Sequence, residues 1–278
     1  MASDMASMAK EFLLQKMPWG FEVGLCAFAL LAAVKVKKIE KVNNKDMYWA
    51  QSLVTTFMVG FGGGILAPFL LGKPPIMFVN DLIVPAVLVA WYLLHRLEDT
   101  MLAVVALPGV KHVLAVVAEV FRANAMCGVI VLATKTLSVS KYYPIPFWGP
   151  VLLGTIGGCG GLFLPLDKGL SGIKAGAPWA MESAFYGSLF FHIAAHDPLY
   201  AGERLRGFLG PEEAVPETAR LLVVLFFVSM ALAQSYLGPS FNPFTPFHRV
   251  GYTITGVPAA DAADAAAAPA AAAKPKGD

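Results

Sequence analysis

Along most of this chain apolar residues neither alternate with polar ones nor recur at a helical period; they run in long blocks. Crossing about 30 Å of hydrocarbon takes roughly 20 apolar residues as a helix, because lipid offers the backbone no hydrogen-bond partners. Seven blocks meet that test, at 19–36, 48–71, 77–97, 106–134, 146–166, 180–196 and 218–237, and each is predicted as a transmembrane helix. Most are apolar around the whole circumference, as befits helices surrounded by lipid and by one another. The sixth is the weakest, being short and carrying Glu182 and His192. The connecting pieces divide the rest. Residues 1–17 form an N-terminal segment with no continuous apolar region or cleavage pattern, so no removable signal peptide is expected. The polar stretch 197–217 reads as a loop, 238–256 as a post-helix segment, and the Ala/Pro-rich 257–278 as a disordered tail that cannot bury a core.

Composition supports the membrane reading. Hydrophobic residues make up 57% of the chain and charged ones 14%, against roughly 25% charged in soluble domains. A net charge of +2 gives no basic face for nucleic acid. Cys26, Cys127 and Cys159 sit in apolar runs without paired spacing, so neither a disulfide framework nor a metal site is expected, and they read as small buried packing residues. No His-Glu-x-x-His, Gly-x-Ser-x-Gly or phosphate-loop motif is present, which argues against an enzyme and a bound cofactor. Seven crossings put the termini on opposite faces. Loop cations gather on the face opposite the N-terminus, chiefly in KVKKIEKVNNK at 35–45, so the positive-inside bias places the C-terminus in the cytosol and the N-terminus in a lumen or outside the cell.

Comparing the chain with itself reveals an offset of 97 residues at which Gly60, Gly63, Gly64, Pro68 and Gly72 fall on Gly157, Gly160, Gly161, Pro165 and Gly169. The same offset carries Glu22-Val23 onto Glu119-Val120 and His95 onto His192. The repeat unit, 18–97 against 106–196, holds three helices, and an odd number makes the second copy enter the membrane from the opposite face. The expected architecture is therefore an all-α membrane protein of seven transmembrane helices: two inverted three-helix repeats plus a seventh helix. Matching glycine- and proline-interrupted helices in inverted halves point to a transport path, because a broken helix exposes carbonyls and amides near the midplane. Gly60, Gly62, Gly63, Gly64 and Pro68 in one half, with Gly157, Gly158, Gly160, Gly161 and Pro165 in the other, are the candidate pore and kink residues. The competing explanation is close helix packing through Gly60-x-x-x-Gly64 and Gly157-x-x-x-Gly161, and packing and kinking can coexist.

Charges within the spans are expensive and face a cavity or a partner. Glu22, Glu119, Glu182 and Arg122 are the candidates. Arg122 lies three residues after Glu119, at the spacing of an intrahelical pair, and its alternative role is to face the pore or an anionic lipid headgroup. His95 and His192 read as interfacial helix-end residues, with pH sensing as the alternative.

Val59 and the segment GFGGGILAPFLLGKPP, residues 60–75, resemble the second helix of the trimeric intracellular cation (TRIC) channel family, where a glycine kink precedes Leu-Leu-Gly-acidic-Pro-Pro. Lys73 replaces the acidic residue. Ala118-Glu119-Val120 is similar to the family's Lys-Glu-Val element, and Arg122 falls on a basic position. Gly154 to Gly161, Phe185-Tyr186-Gly187 and Asn242-Pro243-Phe244 resemble elements of the fifth helix, the sixth helix and the segment after the last. The resemblance spans about residues 20–246. It implies a homotrimer with a pore in each subunit, conducting monovalent cations, chiefly K⁺, across the endoplasmic reticulum membrane as counter-ion current during Ca²⁺ release. It also implies an anionic lipid partner, a phosphoinositide, held near Arg122 and Lys111, although Ala118 stands where animal members have lysine and Gly157 where they carry the fifth-helix lysine. An inverted-repeat transporter of a small solute is the alternative on the same scaffold.

Overall fold

Helix-forming runs in this chain are ended by glycine and proline, and the result is an all-helical fold. The computed structural model describes residues 2–43, 47–164, 178–238, 241–245 and 254. Its helices are α1 (Ala2–Leu13), α2 (Gly20–Asn43), α3 (Trp49–Leu70), α4 (Ile83–Arg96), α5 (Glu98–Ala106), α6 (Pro108–Thr136), α7 (Trp148–Cys159), α8 (Trp179–His196), α9 (Tyr200–Leu209) and α10 (Val215–Leu237). Local chemistry sets several boundaries. Pro108 opens α6 at a position where its missing N–H costs nothing. Gly72, at φ 65°, closes α3: its own N–H donates to the Phe69 carbonyl and the Lys73 N–H to the Pro68 carbonyl, a glycine cap that L side chains resist. Pro74 and Pro75 then prevent the helix from resuming.

The predicted spans differ from these helices in instructive ways. By length and composition three helices among the described residues can cross a membrane: Trp49–Leu70, Pro108–Thr136, and α10 with its preceding turn, Glu212–Leu237. The apolar α4 is shorter, at 14 residues, and begins six residues after the predicted start at 77 because Asn80 and Asp81 hold a turn there, the Asn80 side chain accepting from the Leu82 N–H. The span expected over 146–166 is a 12-residue α7 followed by a 3-10 turn, Gly160–Leu162, since each glycine in a helix costs about 1 kcal/mol relative to alanine. Part of the loop expected at 197–217 is helical as α9, and the N-terminal segment contributes α1. Cys127 and Cys159 are buried, as expected of packing residues, whereas Cys26 is exposed, at the open groove between α2 and α4.

Two apolar clusters flank the long α6. One joins α2, α4, α5 and α6 through Leu25, Ile83, Val87, Leu94, Val105 and Phe121; the other joins α6, α7, α8 and α10 through Met126, Ile130, Cys159, Phe191 and Phe227. Within the two segments expected to be repeats the neighbours correspond: α2 packs on α3 and α4 as α6 packs on α7 and α8. Across the halves α2 meets α6, and α3 meets both α7 and the turn after it. Large apolar side chains such as Val89, Tyr92, Trp148, Leu152 and Leu225 remain on the outside, a surface suited to lipid or to further subunits.

Candidate functional site

Both glycine stretches break their helices, and the breaks meet. In α3 the backbone leaves helical geometry at Phe61 (φ −108°, ψ 16°). In α7 it does so at Cys159 (φ −134°, ψ 9°). Around these points the two main chains touch with no side chain between them. A Cβ placed on Gly63 would lie 2.1 Å from the Gly157 carbonyl oxygen, one on Gly62 2.7 Å from the Gly161 nitrogen, and one on Gly160 2.4 Å from the Gly63 nitrogen. One on Gly161 would stand 2.2 Å from the Val59 carbonyl oxygen. Elsewhere the neighbours are side chains: Ala32 beside Gly60, Ile76 beside Gly64, Val129 beside Gly157 and Ala184 beside Gly158. Close packing and kinking therefore occur together at this crossing.

Two cavities abut it. The first, of about 290 Å³, is lined by glycines of both stretches and by Lys35, Glu119, Arg122 and Gln234, with Phe28, Phe61 and Trp179 as aromatic walls. The second, of about 680 Å³, is lined by Gln15, Lys73, Asn124 and Arg220, with Pro68 and Gly128. Gly64, Ile76, Phe121, Ala125 and Gly157 line both. These five residues make a shared layer between two compartments that carry different polar groups.

Arg122 is built into the wall of the first cavity. Its Nε donates to Glu119 Oε2 at 2.8 Å, its Nη1 to the carbonyls of Gly158 (3.2 Å) and Ala180 (3.3 Å), and its Nη2 to Ser183 Oγ (3.3 Å). The guanidinium also lies 4.4 Å above the Phe227 ring. Because α7 ends one residue after Gly158, the arginine supplies a donor where the helix runs out, tying α6 to α7, α8 and α10. Glu119 keeps about a fifth of its side chain exposed and faces the cavity.

The remaining sequence candidates lie apart. Glu22 borders an apolar groove between α2 and α4 with Cys26. Glu182 is buried and accepts from the Asn242 side-chain amide. Lys111 is exposed near the start of α6, away from both cavities' linings. His192 is fully buried, edge-on to Phe147, rather than at an interface, while His95 packs on Trp91. Pro165 and Gly169 fall outside the described residues. Residues that the sequence did not single out, Gln15, Ile76, Phe121, Asn124 and Arg220, complete the two cavities.

A family model described as TRIC channel matches residues 46–174, which take in α3 to α7 and both glycine stretches. A trimeric intracellular cation channel from C. elegans, solved in the absence of Ca²⁺, superposes with a TM-score of 0.62 at 18% identity, covering 87% of this chain and 100% of that one. Sequence and fold both match TRIC channels. The C. elegans channel with bound Ca²⁺ gives a TM-score of 0.58 at 21% identity, over 81% of this chain and 94% of that one. A third TRIC structure, described as that of counter-ion channels in calcium release, gives 0.56 at 16%, over 79% and 96%. No curated protein matches the sequence.

Proposed function

We propose that this protein is a cation channel of an intracellular membrane, with an ion path in each subunit of a homotrimer running from one cavity to the other past the α3–α7 crossing. The observation that carries the reading is the shared layer: two compartments, each carrying its own polar groups, meet at Gly64, Ile76, Phe121, Ala125 and Gly157. In the inverted seven-helix arrangement, Lys35 marks the cytosolic compartment, and Lys73 and Arg220 the lumenal one. Conduction requires sites that bind cations weakly enough to release them, and carbonyls freed where a helix breaks suit that need. Glu119 is the acid facing the path, its charge balanced by Arg122. K⁺ is the expected permeant ion, and counter-ion current during Ca²⁺ release from the endoplasmic reticulum the expected role, by analogy with what the third TRIC structure is described as doing. A phosphoinositide near Arg122 is the proposed cytosolic lipid partner; Lys111, eleven residues earlier on α6 and outside the lining of that cavity, stands apart from it.

Recording purified protein in planar bilayers under asymmetric KCl tests this directly. Unitary currents reversing near the K⁺ equilibrium potential are expected. Saturable solute flux without unitary current would replace the channel with an inverted-repeat transporter working through the same layer.

A further inference from the structure

The larger cavity has the wrong sign for a passage that admits cations unaided. Two cationic side chains line it, Lys73 and Arg220, and among the described lining residues there is no carboxylate. The acid nearest on α10, Glu217, is one turn before Arg220 and is held instead by Lys10, at 2.7 Å, and by Lys16. Arg220 is half-buried and makes no hydrogen bond or ion pair with any described residue. A half-buried guanidinium with no acceptor among the described residues can turn its planar fork of N–H groups toward the oxygens of a phosphate. Against these stand the apolar walls of Leu14, Phe21 and Leu132.

We infer that this cavity is a binding site for a phosphate monoester dianion, held by Arg220 and Lys73. Two cations match a dianion in charge, and the cavity of about 680 Å³ has room for such a group with part of its hydration. The same chemistry is offered by soluble inorganic phosphate and by the headgroup of a lipid whose acyl chains would lie along the apolar wall. Occupancy cancels the positive charge of the compartment and removes its barrier to cations. Binding stands independently of the channel reading; the effect on current rests on it.

The test uses the full-length protein in nanodiscs of phosphatidylcholine. In one arm radiolabelled inorganic phosphate is titrated; in the other the discs carry phosphatidic acid, and retained lipid is counted by native mass spectrometry. Saturable occupancy of one site per chain is expected in at least one arm, and the arm identifies the source. Charge-assisted hydrogen bonds of this kind are worth enough that Arg220→Gln should weaken binding about tenfold or more, and Lys73→Gln somewhat less because that lysine is exposed. Lys73→Gln alters an exposed position after the α3 cap, so it reports on binding even where Arg220→Gln fails to fold. No saturable binding in either arm, or equal binding by wild type and Lys73→Gln/Arg220→Gln, overturns the assignment. Binding lost in the variants but with no current under any condition would leave the site standing and remove the channel reading alone.

Discussion

Replacing Gly63 with alanine adds one methyl group where two main chains meet. That methyl would sit 2.1 Å from the Gly157 carbonyl oxygen, 2.7 Å from its carbon and 2.8 Å from the Ile156 oxygen. Carbon-to-carbonyl contacts settle at about 3.3 Å or more, so α3 and α7 must separate locally by roughly 1 Å. All three obstacles are backbone and cannot swing aside. Overpacking of this kind costs about 1–3 kcal/mol or more, partly offset by the roughly 1 kcal/mol that alanine gains over glycine in a helix. Gly128→Ala is the internal control: it lies in α6 on the wall of the larger cavity, and its methyl meets nothing within 4 Å, so it should retain the full propensity gain. Thermal unfolding of the detergent-solubilised protein, followed by a thiol-reactive dye, should therefore show Gly63→Ala melting several degrees below wild type and Gly128→Ala at or above it. Equal melting of the two variants would mean that the crossing is not a backbone contact, and the shared layer built on it would fall as well.

Other consequences are also measurable. Arg122→Leu removes donors from the Gly158 and Ala180 carbonyls and leaves Glu119 unpaired. A loss of about 3 kcal/mol is expected in chemical unfolding, and a change within error would show the network to be dispensable. Gly64→Ala meets Ile76 Cγ2 at 2.6 Å, a side chain that can move; folding should survive while unitary conductance changes, and an unaltered current would place Ile76 outside the path. The Glu98 carboxyl is held below its ordinary value of 4.5, first by its hydrogen bond from Lys41 and further by Lys37. Its folded value being depressed, the stability it adds is present above 4.5 and lost as pH falls through the lower folded value. Lys41→Gln should flatten that acid limb slightly, since the pair is largely exposed, and identical acid limbs would exclude the pairing. Glu217→Gln releases Lys10 and Lys16, so hydrogen exchange should quicken in α1 and little elsewhere; unchanged protection would show that apolar packing alone holds α1.

The 97-residue offset was legible because glycine and proline are rare enough inside apolar runs to be noticed, and the two stretches it singles out are those that touch. The pairing of Glu119 with Arg122 was also readable from spacing. Ile76 and Phe121 were not, because an isoleucine or phenylalanine in an apolar sequence carries no mark of facing a cavity. The docking of α1 escaped too. Its anchors are the ion pairs of Lys10 and Lys16 with Glu217 and the hydrogen bond of Asn124 to the Leu13 carbonyl, at 2.8 Å, contacts between residues far apart in the chain. Nor does an apolar run announce that α7 stops at Cys159, since hydrophobicity sets what is buried while glycine content decides where the helix yields.

Main-chain atoms have no rotamers. Where Gly63 and Gly157 meet, neither α3 nor α7 can relieve pressure by turning a side chain, so a displacement of one is handed to the other as at the pivot of a pair of shears. Whatever widens this junction must move the two halves of the polypeptide in concert.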